Sequence, residues 1–175
     1  MVLSAVERFA AVQAAARDAA LAEDAPRRRA HGIVHTPPEL ARAVLRVGDA
    51  LASLELGVSL GLADPGWLVL DPACGPGAFL AAALALAADS GSAGSHVAGF
   101  DIDPAALALA ARLREHAPGQ RLELHAADVL ASDALAQYAR VHTGPLLLVG
   151  NPPWATARAQ PTAADQARLD PFRRD

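Results

Sequence analysis

Apolar positions recur with two different periods along this chain, and the change of period divides it. The opening stretch, MVLSAVERFAAVQAAARDAALAEDAPRRRA, carries Glu7, Arg8, Arg17 and Asp18 inside its apolar pattern. That pattern predicts an amphipathic helix and linker over residues 1–30, not a signal peptide or a membrane span. The segment TPPE at 36–39 reads as a helix start, with Thr36 as N-cap, Pro37 in the first turn and Glu39 closing a capping box. Leu40, Val44, Val47, Leu51 and Leu54 follow at helical spacing as one apolar stripe, and the helix should end near Gly57 or Gly61.

From Trp67 onward the period shortens. WLVL (67–70), HVAGF (96–100), RLELH (121–125) and PLLLVG (145–150) are short apolar runs that read as strands. Helical stretches are expected between them at about 78–88, 104–116 and 132–140. Such alternation predicts an α/β fold, a parallel doubly wound sheet with helices on both faces. Ligands bind such sheets at the carboxyl ends of the strands. The segments DPACGPG, DIDP, AADV and NPPW should therefore share one edge.

Composition adds limits. The 175 residues suit about one domain, and 53% apolar content is ample for a core. All fifteen basic residues are Arg, a skew that reads as coding bias and carries no functional weight. A net charge of −4 argues that any grip on nucleic acid is local or supplied elsewhere. Arg27 to Arg29 could touch phosphate, but a solvated linker after Pro26 is the favoured reading. Cys74 is the only cysteine, so no internal disulfide forms, which fits a reducing cytoplasm, and its place in a tight loop reads as a small buried residue. His31 and His35 lie four apart, but Thr36-Pro37-Pro38 makes an extended lead-in, and no metal site is expected.

Chemistry concentrates in the loops. In VLDPACGPGAFL, Gly75 and Gly77 sit between strand and helix, where a Cβ would obstruct a ligand and the turn can demand positive φ. Pro76 removes a backbone donor, so the loop suits an uncharged or cationic ligand better than phosphate. Asp101, at the end of the second strand, is placed to accept from both hydroxyls of a ribose. Asp103, before Pro104, reads better as a helix cap. Asp128 reads either as a loop carboxylate or as an acceptor for an adenine amino group. Together these residues describe a nucleoside pocket.

The run LLLVGNPPW then explains itself. Pro152 and Pro153 offer no N–H, so they stop ladder pairing and hold the chain stiffly extended. The Asn151 side-chain oxygen and the Pro152 backbone oxygen can then accept both protons of one planar amino group, drawing electron density toward its nitrogen. Trp154 offers a flat face for a base taken out of its stack. Taken alone, NPPW would also serve as a rigid turn with an aromatic anchor.

These segments resemble a known family. DPACGPGAF is similar to the S-adenosylmethionine-binding motif of amino-methyltransferases, FDIDP to their acidic second motif, and GNPPW to the (D/N/S)PP(Y/F/W) motif of N6-adenine DNA methyltransferases. GIVHTPPELARAVL, 32–45, resembles the G-x-x-(Y/F)-T-P segment of adenine methylases in restriction-modification systems, with His35 where an aromatic is usual. The order of segments is that of the gamma arrangement, in which target recognition follows the catalytic motif. The resemblance implies a class I S-adenosylmethionine-dependent methyltransferase (Rossmann-like) fold over 31–154, its sheet ending after the fourth strand, with a polar tail at 155–175. It implies catalytic roles for Asn151, Pro152, Pro153 and Trp154. Cofactor contacts are implied for Thr36, Asp71, Ala73, Gly75, Gly77, Phe79, Asp101, Ile102 and Asp128.

The implied reaction moves a methyl group from S-adenosylmethionine to the exocyclic N6 of adenine in DNA. DNA would be held through a region outside this chain, and a second chain is a candidate to complete the sheet. The isolated chain is then expected to bind cofactor poorly and methylate DNA little. Two other readings stand beside this one: a protein-glutamine or RNA N-methyltransferase, which also uses NPP(Y/F), and a non-catalytic fragment or partner subunit. TPPELA argues against the first of these.

Overall fold

A computed structural model of the chain describes residues 35–92 and 94–152, together with Glu7, Ala14 and Asp18. Those three are helical. The rest of that segment, Pro153, Trp154 and the tail at 155–175 lie outside the described residues.

Strands β1 (Leu68–Asp71), β2 (His96–Asp101), β3 (Leu122–Ala126) and β4 (Leu146–Leu148) form one sheet in the order β3-β2-β1-β4. Every neighbouring pair is parallel, with Asp71 opposite Gly99 and Leu70 opposite Leu148. Helices α1 (Pro38–Leu54), α2 (Ala78–Ser90), α3 (Pro104–Ala111) and α4 (Ala134–Arg140) accompany the strands. The helix expected over 104–116 is divided: α3 tightens into a 3-10 turn at Arg112–His116.

Alternation along the strands sorts the core into two layers. Val69 and Val97 join Leu45 of α1, Leu84 of α2 and Leu107 of α3 on one face. Leu68, Leu70, Ala98 and Phe100 meet Leu135 and Tyr138 of α4 on the other. Lying between β2 and β4 and covered on both faces, β1 is buried at every position, which is why its first three residues, Leu68 to Leu70, are all apolar. Helix α2 is apolar nearly all round and accordingly buried nearly all round.

Two expectations about α1 are corrected. The stripe of Leu40, Val44, Val47, Leu51 and Leu54 faces outward, each residue at least 40% exposed. The buried face is instead Ala41, Leu45 and Ala52, with Gly48 so close to the sheet that an added Cβ would lie 3.3 Å from Leu147 and from Leu62. At 3.6 residues per turn this face lies about 100° round the helix from the predicted stripe. Small residues let the helix backbone approach the sheet closely, so they occupy the centre of the contact and larger residues are pushed to its flank. The second correction concerns the cap. Pro37 is the N-cap, with φ −58° and ψ 138°, and no side chain caps the helix, so neither Thr36 nor Glu39 forms a capping box. Glu39 lies 4.0 Å from Arg42 instead.

Helix α4 buries none of its residues fully and is held by a polar cluster. The Tyr138 hydroxyl donates to Glu123 Oε2 at 2.6 Å and lies 2.8 Å from His96 Nε2, while Arg121 pairs with Glu123 Oε1 at 2.8 Å. Burial alone would raise the Glu123 carboxyl, but hydrogen bonds from Tyr138 and Arg121 and the nearby His96 and Arg121 outweigh it and hold it at about 2.

Candidate active site

Because all four strands run the same way, the segments that follow them emerge at one edge. The glycine loop after β1 is laid across β2 by backbone bonds: Cys74 N donates to Phe100 O at 2.8 Å and Gly77 N to Cys74 O at 2.9 Å. Gly75 and Gly77 adopt φ 52° and 90°, a region costly for any residue with a side chain. The two glycines otherwise differ. A Cβ on Gly75 would meet open space, whereas one on Gly77 would lie 3.0 Å from Leu113 and 3.3 Å from Ala110. Gly75 thus leaves room beside the loop, and Gly77 lets the start of α2 pack tightly.

Asp101 holds the loop from β2. Its Oδ2 accepts from Gly75 N at 2.7 Å and its Oδ1 from Asp103 N at 2.8 Å. A carboxylate offers about four acceptor sites, so these two bonds leave capacity for hydroxyl donors. Asp71, at the end of β1, is almost fully buried; its Oδ1 accepts from Ala73 N at 3.0 Å. Burial pushes its pKa up to about 7, the Ala73 N–H opposes that rise, and the nearby Asp101 adds to it. The same burial, with the charges of Asp71 and Asp101, raises the Cys74 thiol far above its usual range, consistent with an inert packing residue. Two carboxylates this close favour a ligand that carries positive charge.

Other expected site residues separate by role. Ile102 is 60% exposed beside Asp101, an apolar surface at the mouth of the crevice. Phe79 is buried in the core beneath the loop. Asp103 caps α3 by accepting from Ala105 N at 2.9 Å, as expected. Asp128 accepts from Leu130 N and Ala131 N at 3.1 and 3.2 Å, which is the loop-carboxylate geometry.

The chain after β4 closes the site. Val149 N still donates to Leu70 O at 3.0 Å. Gly150 then passes so near Asp71 that a Cβ there would sit 2.7 Å from Asp71 Oδ1. Asn151 is half-buried and Pro152 exposed. The Asn151 Nδ2 donates to Thr36 Oγ1 at 3.3 Å, joining positions 115 residues apart. Thr36 thus meets Asn151, Gly150 lies against Asp71, and Asp101 holds Gly75 at the same end of the strands; the expected roles of Pro153 and Trp154 fall outside the described residues.

Two site glycines were not singled out in the sequence. A Cβ on Gly99 would lie 2.7 Å from Leu80 and 2.8 Å from Cys74 Sγ, so this mid-strand glycine is what allows the loop to lie on β2. Gly150 does the same for the contact with Asp71. A glycine inside an apolar strand run was the available signal for Gly99, and a glycine closing such a run the signal for Gly150.

The architecture is an α/β fold built on a four-stranded parallel sheet. A solved type I restriction-modification system methyltransferase subunit from Streptococcus thermophilus is similar in fold, with a TM-score of 0.52 and 20% identity over 78% of this chain. The chain spans 26% of that protein's length. A class I S-adenosylmethionine-dependent methyltransferase from Listeria monocytogenes overlaps with a TM-score of 0.33 at 20% identity, over 56% of this chain and 36% of that one, too little to carry an argument. No protein-family model and no curated protein matches the sequence.

Proposed function

We propose that this chain carries the cofactor-binding and catalytic part of an S-adenosylmethionine-dependent methyltransferase acting on the N6 amino group of adenine in DNA. The observation that carries the reading is the convergence of Asn151 with Thr36 and of Gly150 with Asp71 at the mouth of the glycine loop. The residues present suit the cofactor. Gly75 leaves open space against the loop, Asp101 retains acceptor capacity for ribose hydroxyls, and the Asp71–Asp101 pair favours a positive centre.

S-adenosylmethionine supplies an electrophilic methyl group on a sulfonium. Everything else falls to the chain. Asn151 Oδ1 and the Pro152 carbonyl would accept the two amino protons and orient the nitrogen's electron pair toward the crevice, and Trp154 would stack on the extruded base. Much of the acceleration would come from holding the reactants in line. The product nitrogen, made acidic by methylation, sheds its proton readily, so no histidine is assigned as base.

The net charge of −4 leaves DNA to be gripped locally or through a region outside this chain, and a second chain pairing with β4 would complete the sheet. The test, run with this chain in a complete, active form, is transfer of a labelled methyl group, with Asn151→Ala as control, to DNA, RNA and release-factor-like protein. Transfer is expected to adenine in DNA. It should fall at least a hundredfold in the variant, with cofactor affinity, measured by calorimetry, nearly unchanged. Equal turnover by the variant, or methylation of RNA or protein instead, would remove the reading.

A further inference from the structure

Two places in this chain put a hydrogen-bonding residue directly ahead of a proline pair: Thr36-Pro37-Pro38 before α1, and Asn151-Pro152-Pro153 after β4. A residue that precedes proline is driven out of the helical region into an extended backbone, so both side chains hang from stiff arms. The fold brings these arms together. Asn151 Nδ2 donates to Thr36 Oγ1 at 3.3 Å, and both residues are half-buried.

We propose that Thr36 is a positioning residue for Asn151, its hydroxyl holding the Asn151 amide by Nδ2 so that Oδ1 turns away from α1. This rests on the catalytic reading of Asn151 given above and deepens it. Thr36 is not used as the helix cap, since that place belongs to Pro37 and no side chain fills it. Its hydroxyl is instead directed across the crevice.

The supports on both sides are rigid. The Asn151 arm is pinned one residue earlier, where Gly150 lies against Asp71, and two residues earlier, where Val149 N bonds to Leu70 O at 3.0 Å. The Thr36 arm leads into α1, whose Gly48 is seated on Leu147 of β4. One packed unit thus carries both partners, and the softest remaining freedom is rotation of the amide about its last torsion. That torsion is broad, and the oxygen and nitrogen of an amide are nearly the same size, so sterics alone do not choose between them. Hydrogen bonding must. With Nδ2 committed to Thr36, the planar amide directs its carbonyl oxygen to the other side, the orientation needed to accept a proton from a target amine.

The test compares Thr36→Val, which keeps shape and removes the acceptor, with Thr36→Ser, which keeps the hydroxyl. In the 15N-labelled full chain, the Asn151 side-chain amide pair is identified by its loss in Asn151→Asp. Thr36→Val should shift that pair and speed its exchange with water about fivefold, and Thr36→Ser should restore both. Dispersion of the other amide signals reports that the fold is intact. Thr36→Ala repeats the comparison with a smaller side chain if Thr36→Val does not fold.

Where methyl transfer is measured, kcat should fall in Thr36→Val and recover in Thr36→Ser. An Asn151 amide pair insensitive to loss of the Thr36 hydroxyl would overturn the proposal. So would a Thr36→Val variant whose only defect is weaker cofactor binding. Failure of the catalytic reading looks different: the amide pair would still respond to Thr36, but no methyl group would reach DNA even with the chain in its completed form.

Discussion

At the scale of single residues, burial places the Asp71 carboxyl under electrostatic tension. Its folded pKa is raised from 3.8 to about 7, chiefly by burial. A raised acid pKa means that the folded state binds a proton the unfolded state has released. Stability from this group is therefore complete below about 3.8 and is lost as pH rises toward about 7. Asp71→Asn keeps an acceptor for Ala73 N and removes the titration. The variant should gain on the order of a few kcal/mol relative to wild type at pH 8 and lose the decline in stability across that interval, as measured by urea denaturation at a series of pH values. Parallel curves for the two proteins would show that Asp71 is not so perturbed.

The acidic residues in the loops were legible from sequence because a carboxylate after an apolar strand in a parallel sheet has few places to go. Their partners were not. Asp101 was read as a ligand acceptor, yet it also accepts from Gly75 N and Asp103 N, so it builds the loop as well.

At the scale of elements, α1 shows where hydrophobic periodicity misleads. The larger apolar residues mark its outward flank, and the contact with the sheet is made by Ala41, Leu45, Gly48 and Ala52. In a chain so rich in alanine, small residues look like background, although close helix–sheet packing is where they matter most. The two faces should respond oppositely to substitution. Val47→Gln, at a position 61% exposed, should change stability by no more than about 0.5 kcal/mol. Gly48→Leu should cost about 1–3 kcal/mol by forcing α1 away from Leu147 and Leu62. Thermal unfolding of both variants decides the matter, and the reverse ranking would restore the predicted stripe as the buried one.

At the scale of the whole molecule, the two faces of the described sheet are covered unequally. Three helices cover the face lined by Val69 and Val97, whereas α4 alone packs on the other. Beside it Leu146 and Leu148 of the edge strand β4 are 43% and 58% exposed. An apolar edge strand is a template for pairing with another chain. Leu148→Lys should reduce concentration-dependent self-association of the chain, followed by sedimentation or light scattering, without lowering its unfolding temperature by more than a few degrees. If association is unchanged, the sticky surface lies elsewhere, and the outward flank of α1 is the next place to look.

The strand–helix order, the parallel sheet, the glycine loop and the stiffness of NPP could all be read from the chain alone. Each depends on local chemistry: side-chain period, the φ freedom of glycine, the missing N–H of proline. Tertiary structure decided which face of α1 is buried, why Gly99 must lack a side chain, and that Thr36 meets Asn151 instead of capping a helix. Those outcomes depend on the closeness of residues up to 115 positions apart, a distance that no local pattern encodes and only packing sets.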